Sequence, residues 1–189
     1  SYVTQKERLG TGHAVKIALE KINKKTGKLL VLYGDTPFIS TASMQKLLAK
    51  LDAGYALAVL GFEAAQDNQY GRLLTNQQDE LEAIVEYKDA NQEQKSIKLC
   101  NSGVMAVDVA IIMELINKID NNTAKGEYYL TDLVKHARAA ALNCAYIKSP
   151  EDEVIGVNSQ IELAYANNLL QQKLRQQAME QGVHLVDPN

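Results

Sequence analysis

Cysteine is nearly missing from this chain of 189 residues: Cys100 and Cys144 are the only two, and neither sits in a C-x-x-C spacing or beside a histidine pair. That argues against a disulfide framework and a cysteine-based metal clip, and a reducing, cytoplasmic setting is expected. A dominant charge is missing too. Lys and Arg number 20 against 23 Asp and Glu, and the lysines are scattered, so no basic face offers the phosphate-neutralising footprint that nucleic-acid binding needs. No apolar run approaches the roughly eighteen residues of a membrane span. The polar start, Ser1 to Arg8, has no targeting character. Neither nucleic acid nor membrane is an expected partner. Internal repeats, low-complexity linkers and a second domain are not seen, and His13, His136 and His184 share no metal spacing.

What is present reads as one globular α/β domain over 1–189. With 46% hydrophobic and 23% charged residues, the chain can bury a core without staples. Because the first residue is not Met and strand-like Tyr2-Val3-Thr4 begins at once, the sequence is expected to start inside a domain. Ala14, Val15, Ala18, Leu19 and Ile22 recur at helical spacing after Gly10-Thr11-Gly12, with Thr11 available as a cap. The run Leu29 to Tyr33 lacks polar alternation and predicts a strand covered on both faces, followed by a helix marked by Met44, Leu47, Leu48 and Leu51. Tyr55 to Glu63 predicts a strand. Tyr70 to Leu74 and Leu81 to Glu86 predict a hairpin inserted in the sheet. Leu99 to Val107 predicts a strand, with Asp108 capping a helix that a loop from Asp120 to Gly126 closes. Tyr129 to Ala141 suits a helix, Asn143 to Lys148 a strand, and Ser159 to Gln181 a long final helix. The alternation predicts a mainly parallel sheet with helices on both faces.

Gly, Asn, Asp and Glu gather where these elements end: Leu9 to His13, Tyr33-Gly34-Asp35, Tyr70-Gly71-Arg72, Ile84 to Ala90, and Asn101-Ser102-Gly103. Carboxyl ends of parallel strands face one side, where open α/β sheets bind ligands. Glycines there admit a ligand to the backbone, and short polar side chains bond its hydroxyls or base edge. Each residue also has a plainer reading. Gly34, Gly71 and Gly103 suit turns or bulges. Asp35 before Thr36-Pro37 suits a turn cap, and Asn158 a helix cap. Glu86 suits a solvated charge, and Tyr129 and Thr131 suit packing. Arg72 reads as a surface ion pair, and the stripe Ile161, Ala164, Leu169, Leu170, Leu174 as a core face or a partner seam.

Taken in order, the motifs resemble the uridylyltransferase half of the bacterial bifunctional N-acetylglucosamine-1-phosphate uridylyltransferases and glucosamine-1-phosphate acetyltransferases. The match runs through Gln5-x-x-x-Leu9-Gly10-Thr11-Gly12-His13-Ala14, Leu32-Tyr33-Gly34-Asp35-x-Pro37, Tyr70-Gly71-Arg72, Ile84-Val85-Glu86-x-Lys88-Asp89-Ala90, Asn101-Ser102-Gly103, Gly126 to Asp132 and Gly156-Val157-Asn158. The resemblance implies a Rossmann-like nucleotide-diphospho-sugar transferase fold. It implies formation of UDP-N-acetylglucosamine and pyrophosphate from UTP and N-acetylglucosamine 1-phosphate. By that resemblance Gln5, Gly10 and Thr11 contact the uracil end, and Tyr33, Gly34 and Asp35 lie beneath ribose and phosphates. Gly71, Glu86, Asn101, Tyr129 and Thr131, with Asn158, read the sugar. Asp35 and Asn158 are the implied Mg²⁺ ligands.

The family's opening βα units, with a loop of the type L-x-A-G-x-G-T-x-M followed by P-K, have no counterpart in these residues, and neither do its hexapeptide repeats. The chain is therefore expected to be a partial domain, its last helix leading toward an arm. It is expected to be a poor catalyst alone; the alternatives are a non-catalytic UDP-sugar-binding fragment or a subunit complementing a separate chain, while another sugar nucleotidyltransferase is disfavoured by the Leu9 to Ala14 and Gly126 to Asp132 motifs. Uncovered sheet edge and apolar surface predict association, with another copy or with such a chain.

Overall fold

The computed structural model describes residues 2–22, 25–65, 68–121 and 126–188. Helix α1 (Thr11–Leu19) precedes strand β1 (Lys28–Val31), helix α2 (Thr41–Asp52) and strand β2 (Leu57–Glu63). The hairpin β3 (Arg72–Thr75) and β4 (Leu81–Val85) follows, then a short helix α3 (Gln92–Lys95) and the long strand β5 (Leu99–Asp108). Helices α4 (Val109–Leu115) and α5 (Asp132–Ala139), strand β6 (Cys144–Ser149) and helix α6 (Gln160–Glu180) complete the order. The loop expected from Asp120 to Gly126 falls largely on 122–125, outside the described residues.

Helix starts are set by local chemistry. Ser40 accepts from the Ser43 N–H at 3.1 Å, Asp108 from the Ala110 N–H at 2.8 Å, and Ser159 from the Glu162 N–H at 3.2 Å, each filling an orphan donor of a first turn. The cap of the last helix is thus Ser159, and Asn158 gives only its backbone N–H, to the Glu162 carboxylate at 2.7 Å. Thr11 does not cap α1. Its hydroxyl accepts from the Leu130 N–H at 3.0 Å instead.

The sheet runs β4-β3-β5-β2-β6, with β1 pairing β5 off that path. Strands β1, β2, β3 and β6 share a direction, but β5 lies among them reversed. Every pairing except β2 with β6 is therefore antiparallel, and the mainly parallel sheet becomes a mixed one. Alternation along β2 builds both faces of the core. Leu57 and Val59 pack with Leu19, Ile112, Leu115 and Leu133 beneath α1, α4 and α5, whereas Ala58, Leu60 and Phe62 pack with Leu47 of α2. Strand β2, buried from Leu57 to Phe62, is covered on both faces. Strand β1 is not. Among the described residues it pairs β5 alone, its residues are at best half-buried, and Leu32 just beyond it is 46% exposed.

The last helix departs from the core reading. Of α6 only Ala166 is buried, while Ile161 and Leu174 are 83% and 49% exposed. A long helix that touches the body along so little of its length leaves its apolar stripe in solvent. Among the described residues its ties include the ion pair of Lys173 with Asp152 at 2.6 Å.

This division predicts unequal costs of truncation. Leu57→Ala, in a fully buried position, is expected to lower unfolding stability by about 2–5 kcal/mol. Leu174→Ala is expected to change it by no more than about 0.5 kcal/mol. Urea unfolding of both variants checks this, and equal losses would mean that α6 is packed as core.

Candidate functional site

A strand irregularity prepares the site. Between the pairs Val59↔Met105 and Gly61↔Asn101, the single residue Leu60 of β2 faces Ser102, Gly103 and Val104 of β5. The bulge leaves ladder groups unpaired, and Ser102 takes their place: its hydroxyl donates to the Leu60 carbonyl at 2.7 Å and accepts from the Val104 N–H at 3.2 Å. Gly103 takes φ +88°, and a Cβ there would fall 1.9 Å from the Tyr33 ring. The ring therefore lies on bare backbone, which ties the segment after β1 to the middle of β5. Burial pushes the Tyr33 phenol above its ordinary range, partly opposed by a hydrogen bond with Thr11.

A second clasp joins two distant motifs. Gly12 N–H donates to the Tyr128 carbonyl and Tyr128 N–H to the Leu9 carbonyl, both at 2.8 Å, so 9–12 and 128–130 run as one unit. Gly10 stands at φ +105°, where a Cβ would come within 2.6 Å of the Tyr128 carbonyl oxygen. Only glycine fits there. The Gln5 carboxamide nitrogen reaches the Gly10 carbonyl at 3.1 Å and His13 Nδ1 at 3.0 Å.

These segments enclose a cavity of about 880 Å³. Gln5, Gly10, Thr11, Tyr33, Gly34, Asp35, Gly71, Glu86, Asn101, Tyr129 and Thr131 all line it. Asn158 does not. It follows Val157, whose N–H donates to the Asp35 carbonyl at 2.8 Å, so its segment runs alongside the Asp35 loop. That loop is closed by Thr36, whose hydroxyl donates to the Tyr33 carbonyl at 3.0 Å; the Asp35 carboxylate bonds no described residue.

Polar groups on the wall have a set polarity. Thr131 donates its hydroxyl to the Glu86 carboxylate at 3.0 Å, and Glu86 is half-buried rather than freely solvated. Buried Asn101 accepts from the Gly103 N–H at 3.0 Å through Oδ1, which leaves its amide hydrogens for the cavity. Gly71 packs under Glu86 and Ile84, and its carbonyl accepts from the Asn101 N–H at 2.8 Å.

Several lining residues escaped the sequence reading, among them Arg8, Gln69, Tyr70, Ser102 and Glu127. Tyr70, Ser102 and Glu127 stood within nominated motifs, so only their place in the lining was hidden; nothing in the spacing marked Arg8 or Gln69. Arg72 is corrected outright. It is 3% exposed and donates to the Asn68 side chain at 2.8 Å and the Tyr70 carbonyl at 2.5 Å, beneath the Tyr87 ring. Instead of a surface ion pair it makes a buried peg for the turn that carries Gly71.

The nucleotidyl transferase family model matches residues 1–172. The chain belongs to that family. It is 50% identical over 188 residues to the bifunctional protein GlmU of Rhodospirillum rubrum and 46% identical to that of Paramagnetospirillum magneticum, each match covering 98% of this chain. The chain spans 42% of the length of these curated relatives. Among solved structures it resembles a UDP-glucose pyrophosphorylase complexed with UDP-glucose, with TM-score 0.70 and 21% identity over 92% of this chain and 66% of the other. A nucleoside-diphosphate-sugar pyrophosphorylase from Vibrio cholerae gives TM-score 0.62 at 16% identity, covering 87% of this chain and 67% of that one. This nucleotidyltransferase-family domain therefore has the Rossmann-like fold of nucleotide-sugar pyrophosphorylases. Among its described residues no helix is long and apolar enough to cross a membrane.

The contact of Tyr33 with Gly103 gives a direct test. Gly103→Ala is expected to destabilise the domain by at least about 2 kcal/mol, because a side chain at positive φ and a ring overlap are both imposed. Thermal unfolding checks it; an unchanged midpoint would show that the ring moves aside freely.

Proposed function

We propose that the cavity binds UTP and N-acetylglucosamine 1-phosphate and serves their conversion to UDP-N-acetylglucosamine and pyrophosphate, in the cytosol. The observation that carries this reading is the convergence of six separated motifs on one cavity. Gln5, Gly10 and Thr11 lie at one clasp, for the base. Tyr33, Gly34 and Asp35 follow, for ribose and phosphates. Gly71, Glu86, Asn101, Tyr129 and Thr131 complete the lining, for the amino sugar, with Glu86 accepting from hydroxyls and Asn101 donating.

A divalent ion suits the donor set. The charged lining residues are Asp35, Glu86 and Glu127 against Arg8, an acidic balance that needs a cation before phosphates can enter. Among the described residues no three His, Cys, Asp or Glu side chains gather as a metal cage. Asp35 and Asn158 instead offer two oxygens from neighbouring segments, which suits Mg²⁺, an ion that keeps waters and takes further oxygens from phosphate. When bound, Mg²⁺ would neutralise charge developing on the transferred phosphoryl group.

The sugar phosphate oxygen attacks the α-phosphorus of UTP, forming the new P–O bond as the bond to the β-phosphate oxygen breaks and pyrophosphate leaves. The nucleophile is already ionised near neutral pH, so the chain need supply no general base. Its residues orient the two substrates in line, which is where the rate gain arises.

Isothermal calorimetry with UDP-N-acetylglucosamine tests the reading. Asp35→Asn is expected to abolish the Mg²⁺ dependence of binding, and Glu86→Gln to weaken sugar-nucleotide affinity about tenfold while leaving UDP affinity in place. Failure of the chain to bind either ligand would end the proposal. Residues 1–189 assayed by themselves are expected to turn over roughly a hundred to a thousand times more slowly than ordinary enzymes of the class, since Arg8 is the one cation among the described lining residues. Addition of a separate chain bearing a Gly-rich cationic loop should raise the rate, and full activity without it would contradict this.

A further inference from the structure

Gln5 faces the cavity, and its carboxamide is held from behind at two points. The Gly10 carbonyl, 3.1 Å from the amide nitrogen, can only accept, so that nitrogen must point toward it. The same nitrogen lies 3.0 Å from His13 Nδ1. An amide nitrogen has only hydrogens to give, so Nδ1 is the acceptor and the imidazole carries its proton on Nε2. Both amide hydrogens are then spent. What remains for the cavity is Oε1, an acceptor with no donor of its own.

His13 itself does not line this cavity. It packs on the other side of α1, where its ring centroid lies 6.2 Å from that of Tyr128. Resting on the reading that the Gln5 end of the cavity holds the nucleobase, we infer that His13 is a specificity-positioning residue. By accepting from Gln5 it locks the carboxamide with Oε1 outward, so the site selects a base presenting an imide N–H, as uracil does, over cytosine, which presents a lone pair at that edge. A site whose polar group must pair discriminates strongly against the base that leaves it facing a like dipole.

The test measures the affinities of UDP and CDP for the full chain by calorimetry in Mg²⁺, with His13→Leu and His13→Asn as variants. The wild-type chain is expected to prefer UDP. His13→Leu, which removes the acceptor, is expected to reduce the UDP-to-CDP affinity ratio about tenfold. His13→Asn, whose Oδ1 can stand in for Nδ1, is expected to retain it. A purely structural loss lowers both affinities together and leaves the ratio where it was, and that result overturns the proposal.

A measurement on the unaltered chain covers the case in which a variant fails to fold. N3-methyl-UDP, lacking the imide hydrogen, is expected to bind at least about tenfold more weakly than UDP, and equal binding overturns the proposal. A wild-type chain that binds UDP and CDP alike defeats the lock and leaves the nucleotide-sugar reading standing. A chain that binds neither defeats both.

Discussion

The ring of Tyr33 rests on a residue with no side chain, and the site is arranged around that contact. Gly103 can accept the ring only because β5 bulges there, and β5 bulges without leaving orphan groups because the Ser102 hydroxyl serves both a carbonyl and an N–H. The contact joins the loop bearing Asp35 to the strand bearing Asn101. Without it, the implied phosphate end and the implied sugar wall would belong to independent segments. An irregularity in the central strand thus does what a regular ladder cannot, which is to turn side chains on adjacent positions toward one cavity.

Rigidity around the cavity comes mostly from backbone. The segment Leu9 to Gly12 is sewn to Tyr128 by two main-chain bonds, and the Thr11 hydroxyl accepts from the Leu130 N–H. Arg72 pegs the Tyr70 turn from below, and Val157 pins the last segment to Asp35. Side chains on the wall then inherit defined polarity: Glu86 through Thr131, Asn101 through the Gly103 amide, Gln5 through Gly10. Groups oriented before a ligand arrives need not be ordered by it, which is the usual source of affinity and selectivity in such clefts.

Much of this was legible in the residues, for reasons that differ by element. Helix α4 carries its own start signal, Asp108, helix α2 its apolar spacing, and the apolar run of β2 lacks a polar face. Most nominated residues that line the cavity were legible because their motifs follow one order along the chain even where single glycines mean little. The misses share one cause, since each depended on how the chain packs around a residue and not on its spacing. Thr11 looked like a cap until Leu130 took its hydroxyl, Arg72 looked exposed until carbonyls of the Asn68 to Tyr70 turn and of Lys95 surrounded it, and the α6 stripe looked like core although the body meets it chiefly around Ala166.

Strand direction belongs with those misses. Periodicity reports which faces of a strand are covered and says nothing of which neighbour it pairs, so the reversed β5 amid co-directional strands was invisible until the pairings were known. By itself the sequence determined most of the element types, the family and most of the nominated residues that meet at the cavity, because short-range chemistry and motif order are written locally. Only the tertiary structure decided how those residues are aimed, because a hydrogen bond between Thr131 and Glu86, or a ring laid on Gly103, exists only once segments distant along the chain share one place.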